Sequence, residues 1–172
     1  MIDWKRLLRH LVTDHRAVRK LFSPRSLRQL EQATRHGEQL HAGQVRLAIE
    51  ASLPLGAVRM GMTPRQRALE VFGGLRVWDT AANCGVLVYL LVADRAVEII
   101  ADRGIHAKVG DVAWRTVCEK MEFQFREGKF TEGALSGLVD IGSLLAVHFP
   151  RSSNAPGNAA VDNELPDAPL LL

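Results

Sequence analysis

Apolar residues recur at helical spacing from the start of the chain. Trp4, Leu7, Leu8, Leu11, Val18 and Phe22, with His15 in phase, predict an amphipathic helix over residues 3–21. Ser23 then offers a capping oxygen and Pro24 suits a first helical position. A second helix therefore runs to His36, turns Leu27, Leu30 and Ala33 inward, and stops at Gly37. The period changes at Gln44, where Val45, Leu47 and Ile49 alternate with polar or small residues, the pattern of a strand with one buried face. Thr63-Pro64-Arg65-Gln66 reads as a capping box with Pro in the first turn, opening a helix that ends at Gly73-Gly74.

Residues 85–93 are apolar on both faces, as in a central strand covered by helices on each side. Asp94-Arg95 then breaks the run before Ala96-Val97-Glu98-Ile99-Ile100-Ala101, so the two strands are expected to form a hairpin with a two-residue turn. Pairing 93 with 96 would set 87 opposite 102. Two helices follow, over 111–127 with Val112, Val117, Met121 and Phe125 inward, and over 131–148 with Leu135, Leu138, Ile141 and Leu145 inward. A strand, a crossing helix and a second strand make a right-handed parallel unit. Adding the hairpin gives an α/β fold: a three-layer α/β/α sandwich with a small mixed sheet, preceded by two N-terminal helices. Residues 1–37 are expected to be basic helices packed on the domain, 38–150 the α/β domain, and 151–172, rich in Ser, Asn, Ala and Pro, a mostly disordered tail.

A length of 172 residues suits one domain. Hydrophobic residues at 47% and charged ones at 24% are ordinary globular usage. The run 85–93 is about half a membrane span. Lys5, Arg6, Arg9 and His10 interrupt the first apolar stretch, so no secretory signal is expected and a cytoplasmic location is. Cys84 and Cys118 form no CxxC pair, and Cys118 shares a helical face with apolar residues, which reads as an inert core thiol. The net charge of +3 hides an asymmetry: nine Lys/Arg against three acidic residues up to Gly37, then thirteen against sixteen.

No phosphate loop, GxSxG elbow, HExxH or dinucleotide-binding glycine pattern is present. His36 and His41 read as separate surface histidines. With the hairpin paired as above, Asp79, Asn83, Asp102 and Asp111 gather at one end of the sheet, an oxygen-rich set suited to a hard divalent cation such as Ca²⁺ or Mg²⁺. The competing reading makes Asp79 and Asp102 turn residues and Asp111 a helix cap. Asp94 and Arg95 mark the opposite end, over the carboxyl edges of the parallel strands where α/β folds usually bind ligands. The basic N-terminal helix either docks on the domain by its Trp4/Leu8/Leu11 face, the favoured reading, or makes peripheral contact with an anionic membrane. Nucleic acid is not an expected partner, because exposed aromatics interleaved with the basic residues are missing.

Gly43-Gln44-Val45-Arg46-Leu47-Ala48-Ile49-Glu50, Ala68-Leu69-Glu70-Val71-Phe72, Asn83-Cys84-Gly85-Val86-Leu87-Val88-Tyr89-Leu90, Ala101-Asp102-Arg103-Gly104-Ile105 and Phe125-Arg126-Glu127-Gly128-Lys129-Phe130 resemble the TPM-domain pattern over about residues 36–149. That family is named for a thylakoid-lumen protein, a photosystem II repair factor and an acetylcholine-receptor modulator. Val77-Trp78-Asp79-Thr80 and Asn163-Glu164-Leu165-Pro166-Asp167 resemble its cytoplasmic bacterial branch. The resemblance implies a compact α/β/α fold. It also implies either an accessory role on a protein partner, membrane-associated in some relatives, or a weak metal-dependent acid phosphatase activity with a bound divalent cation. Two positions depart from the family: Cys84 where Asn is common, and Gln44 where Glu is common.

Overall fold

A computed structural model describes residues 3–151 and 163–172. Among these residues the chain forms eight helices and four strands. The helices are α1 (Trp4–Val12), α2 (His15–Leu21), α3 (Pro24–Glu38), α4 (Leu55–Arg59), α5 (Pro64–Gly74), α6 (Arg103–Val109), α7 (Asp111–Arg126) and α8 (Phe130–His148). The strands β1 (Gln44–Glu50), β2 (Gly85–Leu91), β3 (Ala96–Ala101) and β4 (Leu170–Leu171) lie in the order β3-β2-β1-β4. β1 is parallel to β2 and to β4, and β3 is antiparallel to β2, so the sheet is mixed as expected.

Two apolar clusters lie on the two faces of the sheet. One joins Val45, Leu47, Ile49, Val86, Val88 and Leu90 to residues of α3, α7 and α8. The other joins Ala48, Leu87, Tyr89 and Leu91 to α4, α5, Val77 and Leu165. The three-layer sandwich is thus present. α8 has the length and apolarity of a membrane span, but here it is a core helix burying Phe130, Ala134, Leu138, Ile141 and Leu145.

Local signals held where the chain's own chemistry sets the boundary. Thr63 and Gln66 close a complete capping box, and Ser23 accepts from the Ser26 amide. The expected long first helix is two helices, because Asp14 caps a new one by accepting from the Ala17 amide. The hairpin register is two residues off the expected pairing: Leu91 faces Ala96 and Leu87 faces Ile100, not Asp102. A four-residue connection, Val92 to Arg95, replaces the two-residue turn. Val92 and Ala93 still donate to the Glu50 and Ala51 carbonyls, and Arg95 adopts a left-handed φ of 51°. The tight turn would have needed glycines that the sequence lacks. Residues after Asp102, where no helix is expected from the sequence, form α6, and Val112, expected inside, is exposed.

The expected tail lies partly outside the described residues. Its described part, 163–172, docks on the domain. β4 extends the sheet beside β1, Leu165 and Asp167 are buried, and the Arg46 guanidinium donates to the Pro166 and Ala168 carbonyls at 2.7 and 2.6 Å. Together with α4 and α5 on the same face, this cover buries all seven residues of β1 instead of one face.

Candidate functional site

The amino ends of β1 and β2 and the carboxyl end of β3 share one edge of the sheet. After α5 the chain makes two left-handed steps, at Arg76 (φ 52°) and Asn83 (φ 51°), before entering β2. The Cys84 amide donates to Thr80 Oγ1 at 2.9 Å, which pins this loop. On the neighbouring strand, the Asp102 amide donates to the Gly85 carbonyl at 2.9 Å and its Oδ1 accepts from the Arg103 amide at 2.6 Å, capping α6. Gly104 lets that helix start lie against Asn83, since a Cβ there would come within 3.0 Å of the Asn83 carbonyl oxygen. The result is an open cleft of about 560 Å³ lined by Phe72, Trp78, Asn83, Ala101, Asp102 and Arg103. Asp102 Oδ2 is buried and has no hydrogen-bond partner among the described residues.

Of the four expected cation ligands, the structure brings Asn83 and Asp102 together in this cleft and parts the other two. Asp79 is an exposed turn residue whose amide donates to the Arg76 carbonyl. Asp111 sits in the first turn of α7, where Gly110 holds the cap position, and its carboxylate is 3.5 Å from His106 Nε2. It lines a different cleft, of about 480 Å³, with Arg65, Trp114, Arg115 and Cys118. Among the described residues no group of three or more His, Cys, Asp or Glu side chains is arranged to hold a metal. One carboxylate and one amide oxygen fall short of the six to eight oxygens Ca²⁺ takes; they suit Mg²⁺, which keeps several of its waters. Cys118 is half-buried, and burial pushes its thiol up to about 12, in keeping with an inert group.

At the opposite edge the carboxylates are engaged from within. Glu50 ends β1 with its carboxylate buried. It accepts from the Tyr89 hydroxyl at 2.6 Å and from Arg67 Nε and Nη2 at 2.9 and 3.0 Å. Burial and the neighbouring Glu50 both push the Tyr89 hydroxyl up, while the Arg67 guanidinium is held charged by its bonds to Glu50.

Asp94 accepts from Arg6 Nε and Nη2 at 3.0 and 2.8 Å and from Arg9 Nη2 at 3.3 Å. His10 Nε2 lies 3.2 Å from its Oδ1. Burial alone would raise the Asp94 carboxyl, but Arg6, His10 and Arg9 together hold it below the ordinary range. Burial lowers His10, whose Nδ1 accepts from the Leu53 amide at 2.9 Å; Nε2 then carries the proton beside Asp94 without a well-directed hydrogen bond among the described residues. Arg95 is exposed, and among the described residues its guanidinium reaches the Arg126 carbonyl at 3.5 Å.

Glu50, Arg67, Tyr89 and His10 were not legible as a group in the sequence. The available signal was the chain's one tyrosine inside an apolar strand, whose hydroxyl requires a buried acceptor. His41, read as a surface residue, is buried with Nδ1 3.0 Å from the Gly43 carbonyl. Gln44 spends its amide oxygen on the Glu164 and Leu165 amides, so this departure from the family pattern serves tail docking.

A family model of the TPM domain matches residues 13–144. Among solved structures, the NMR structure of the BA42 protein from the psychrophilic bacterium Bizionia argentinensis sp. nov. is similar. It has 26% identity and a TM-score of 0.74, and the match covers 88% of this chain and 95% of that one. No curated protein matches.

Proposed function

This chain belongs to the TPM-domain family, and from that membership we propose that it is a binding or accessory module whose ligand is a protein. The observation that supports this reading is the engagement of the carboxyl edge, where α/β folds usually take small substrates. Asp94 is matched by Arg6, Arg9 and His10, and Glu50 by Arg67 and Tyr89, with α1 seated across the hairpin tip. A hydrolytic site needs carboxylates free to hold a cation or move a proton; these are neutralised by the chain itself. Two measurements test the proposal. The purified chain is expected to release no p-nitrophenol from p-nitrophenyl phosphate with Mg²⁺ or Ca²⁺, and affinity capture from the source cytosol is expected to retain one protein in stoichiometric amount. Turnover that disappears in Asp102→Asn would overturn it.

One observation favours a second reading, in which Asn83 and Asp102 hold a hydrated Mg²⁺: the buried, unpartnered Asp102 Oδ2. A cation that binds only the folded state raises its unfolding temperature. Millimolar Mg²⁺ is then expected to stabilise the wild type and the Asp79→Asn variant and to leave Asp102→Asn unmoved. An Asp102→Asn protein that still responds refutes the site.

A further inference from the structure

The first helix is docked the wrong way round for its composition. At 100° per residue, Trp4, Leu8, Leu11 and Val12 fall within an arc of about 100°. Arg6, Leu7 and His10 fall on a second arc, centred about 140° away. The domain takes the second, polar arc: His10 is buried and Arg6 is bonded to Asp94. The apolar arc faces outward, with Trp4 70%, Leu8 59%, Leu11 63% and Val12 68% exposed. This reverses the docking that the sequence favoured. The reason is electrostatic: a buried Asp94 carboxylate needs a counter-charge, and α1 supplies it through Arg6, with Arg9 alongside.

We infer that this outward face of α1 is a docking surface for an anionic lipid bilayer. Four large apolar side chains on nine residues form an exposed patch of the kind that marks an interaction site. A Trp beside leucines, with cations on its flank, matches the chemistry of a helix lying in the membrane interface.

The charges choose among partners. Lys5 borders the patch and Arg16, Arg19 and Lys20 of the adjoining α2 are exposed, while the carboxylates of Asp3 and Asp14 are spent capping the two helices, neither of which contains an Asp or Glu. α4, which packs against α1, also lacks carboxylates and exposes Leu55, Arg59 and Met60. Cations in excess of carboxylates, around an apolar ridge, complement a phospholipid headgroup layer.

The helix is also preformed. Nine isolated residues would not hold a helix in water, but Asp3 caps this one and Asp94 clamps it. Binding therefore incurs little ordering cost. The inference is independent of the protein-partner reading.

Vesicle flotation of the full chain tests it. With phosphatidylcholine containing about one-third phosphatidylglycerol the protein is expected to float, with phosphatidylcholine alone to stay at the bottom, and with added salt to release. Leu8→Glu/Leu11→Glu is expected to abolish flotation while leaving the unfolding temperature unchanged, because both side chains already face water. Lys5→Gln/Arg16→Gln is expected to weaken partitioning by roughly fivefold per lost charge. Failure of the wild type to float on anionic vesicles, or flotation that survives Leu8→Glu/Leu11→Glu, overturns the inference. So does a wild-type dimer in sedimentation that Leu8→Glu/Leu11→Glu converts to monomer, since a second copy would then own the face.

Discussion

Replacing Gly85 with Ala adds one methyl group at the start of β2, and the structure places it badly. A Cβ built on Gly85 would sit inside the van der Waals envelope of the Val77 carbonyl oxygen, 2.9 Å from its carbonyl carbon and 3.1 Å from Cγ1. Val77 cannot retreat: it is fully buried in the second apolar cluster, and Thr80 anchors the following loop to Cys84. Two effects oppose each other. Ala restricts the unfolded chain, which favours folding by about 0.4–1 kcal/mol. Forcing backbone apart in a packed site costs about 1–3 kcal/mol or more. Sterics win: backbone rather than a flexible side chain stands in the way, so the cost falls at the top of that range and a net loss of about 2–2.5 kcal/mol in urea unfolding is expected. Because Gly85 also accepts from the Asp102 amide, the cross-strand chemical shifts of Asp102 and Asn83 should move in the same variant. Gly73→Ala is the control. Gly73 lies in α5 with nothing near its absent Cβ, so Ala should raise stability by about 0.5–1 kcal/mol. A Gly85→Ala protein within about 1 kcal/mol of wild type would refute the contact and the loop position with it.

Deleting 163–172 should lower stability by about 2–4 kcal/mol, since it strands the buried Arg46 guanidinium and uncovers the site of Leu165; an unchanged melting curve would show that the tail does not dock. Leu90→Ala, in the fully buried central strand, should cost about 2–5 kcal/mol in denaturant unfolding, and a loss below about 1 would displace β2 from the centre. Asp94→Asn should free α1 while the rest of the domain stays folded, read as amide exchange over residues 4–12 rising about tenfold or more; unchanged exchange there would mean the Arg6 and His10 pairs do not hold the helix. Burial pushes the half-buried Glu38 carboxyl up to about 7, so the folded state holds a proton between about 4.5 and 7 that the unfolded chain releases. Its contribution therefore favours folding below that window and is lost as pH rises through it, by about 1–2 kcal/mol after allowing for solvent screening. Glu38→Gln should accordingly gain on wild type in thermal unfolding at pH 8 and much less at pH 5.

Local chemistry wrote the elements of this protein into its sequence. The alternation of Val45, Leu47 and Ile49, the Thr63/Gln66 capping box, the apolar run from Gly85, the glycines that end α5 and the one after α7 each act within a few residues, so the strands, most helices and the three-layer α/β arrangement follow from near neighbours. Tertiary structure decided whatever depended on partners far along the chain. Nothing near Asp94 announces that Arg6 and Arg9, more than eighty residues earlier, neutralise it, and that pairing turned α1 over and exposed its apolar face. Nothing near Arg46 announces the carbonyls of Pro166 and Ala168 that draw the chain's end into the sheet. The two-residue shift of the hairpin separated Asp102 from its expected partner, and the start of α6 and α7 sent Asp102 and Asp111 into different clefts. Hydrophobic periodicity records which side of an element is apolar. Where a buried charge must be matched, the location of its counter-charge decides which side faces in.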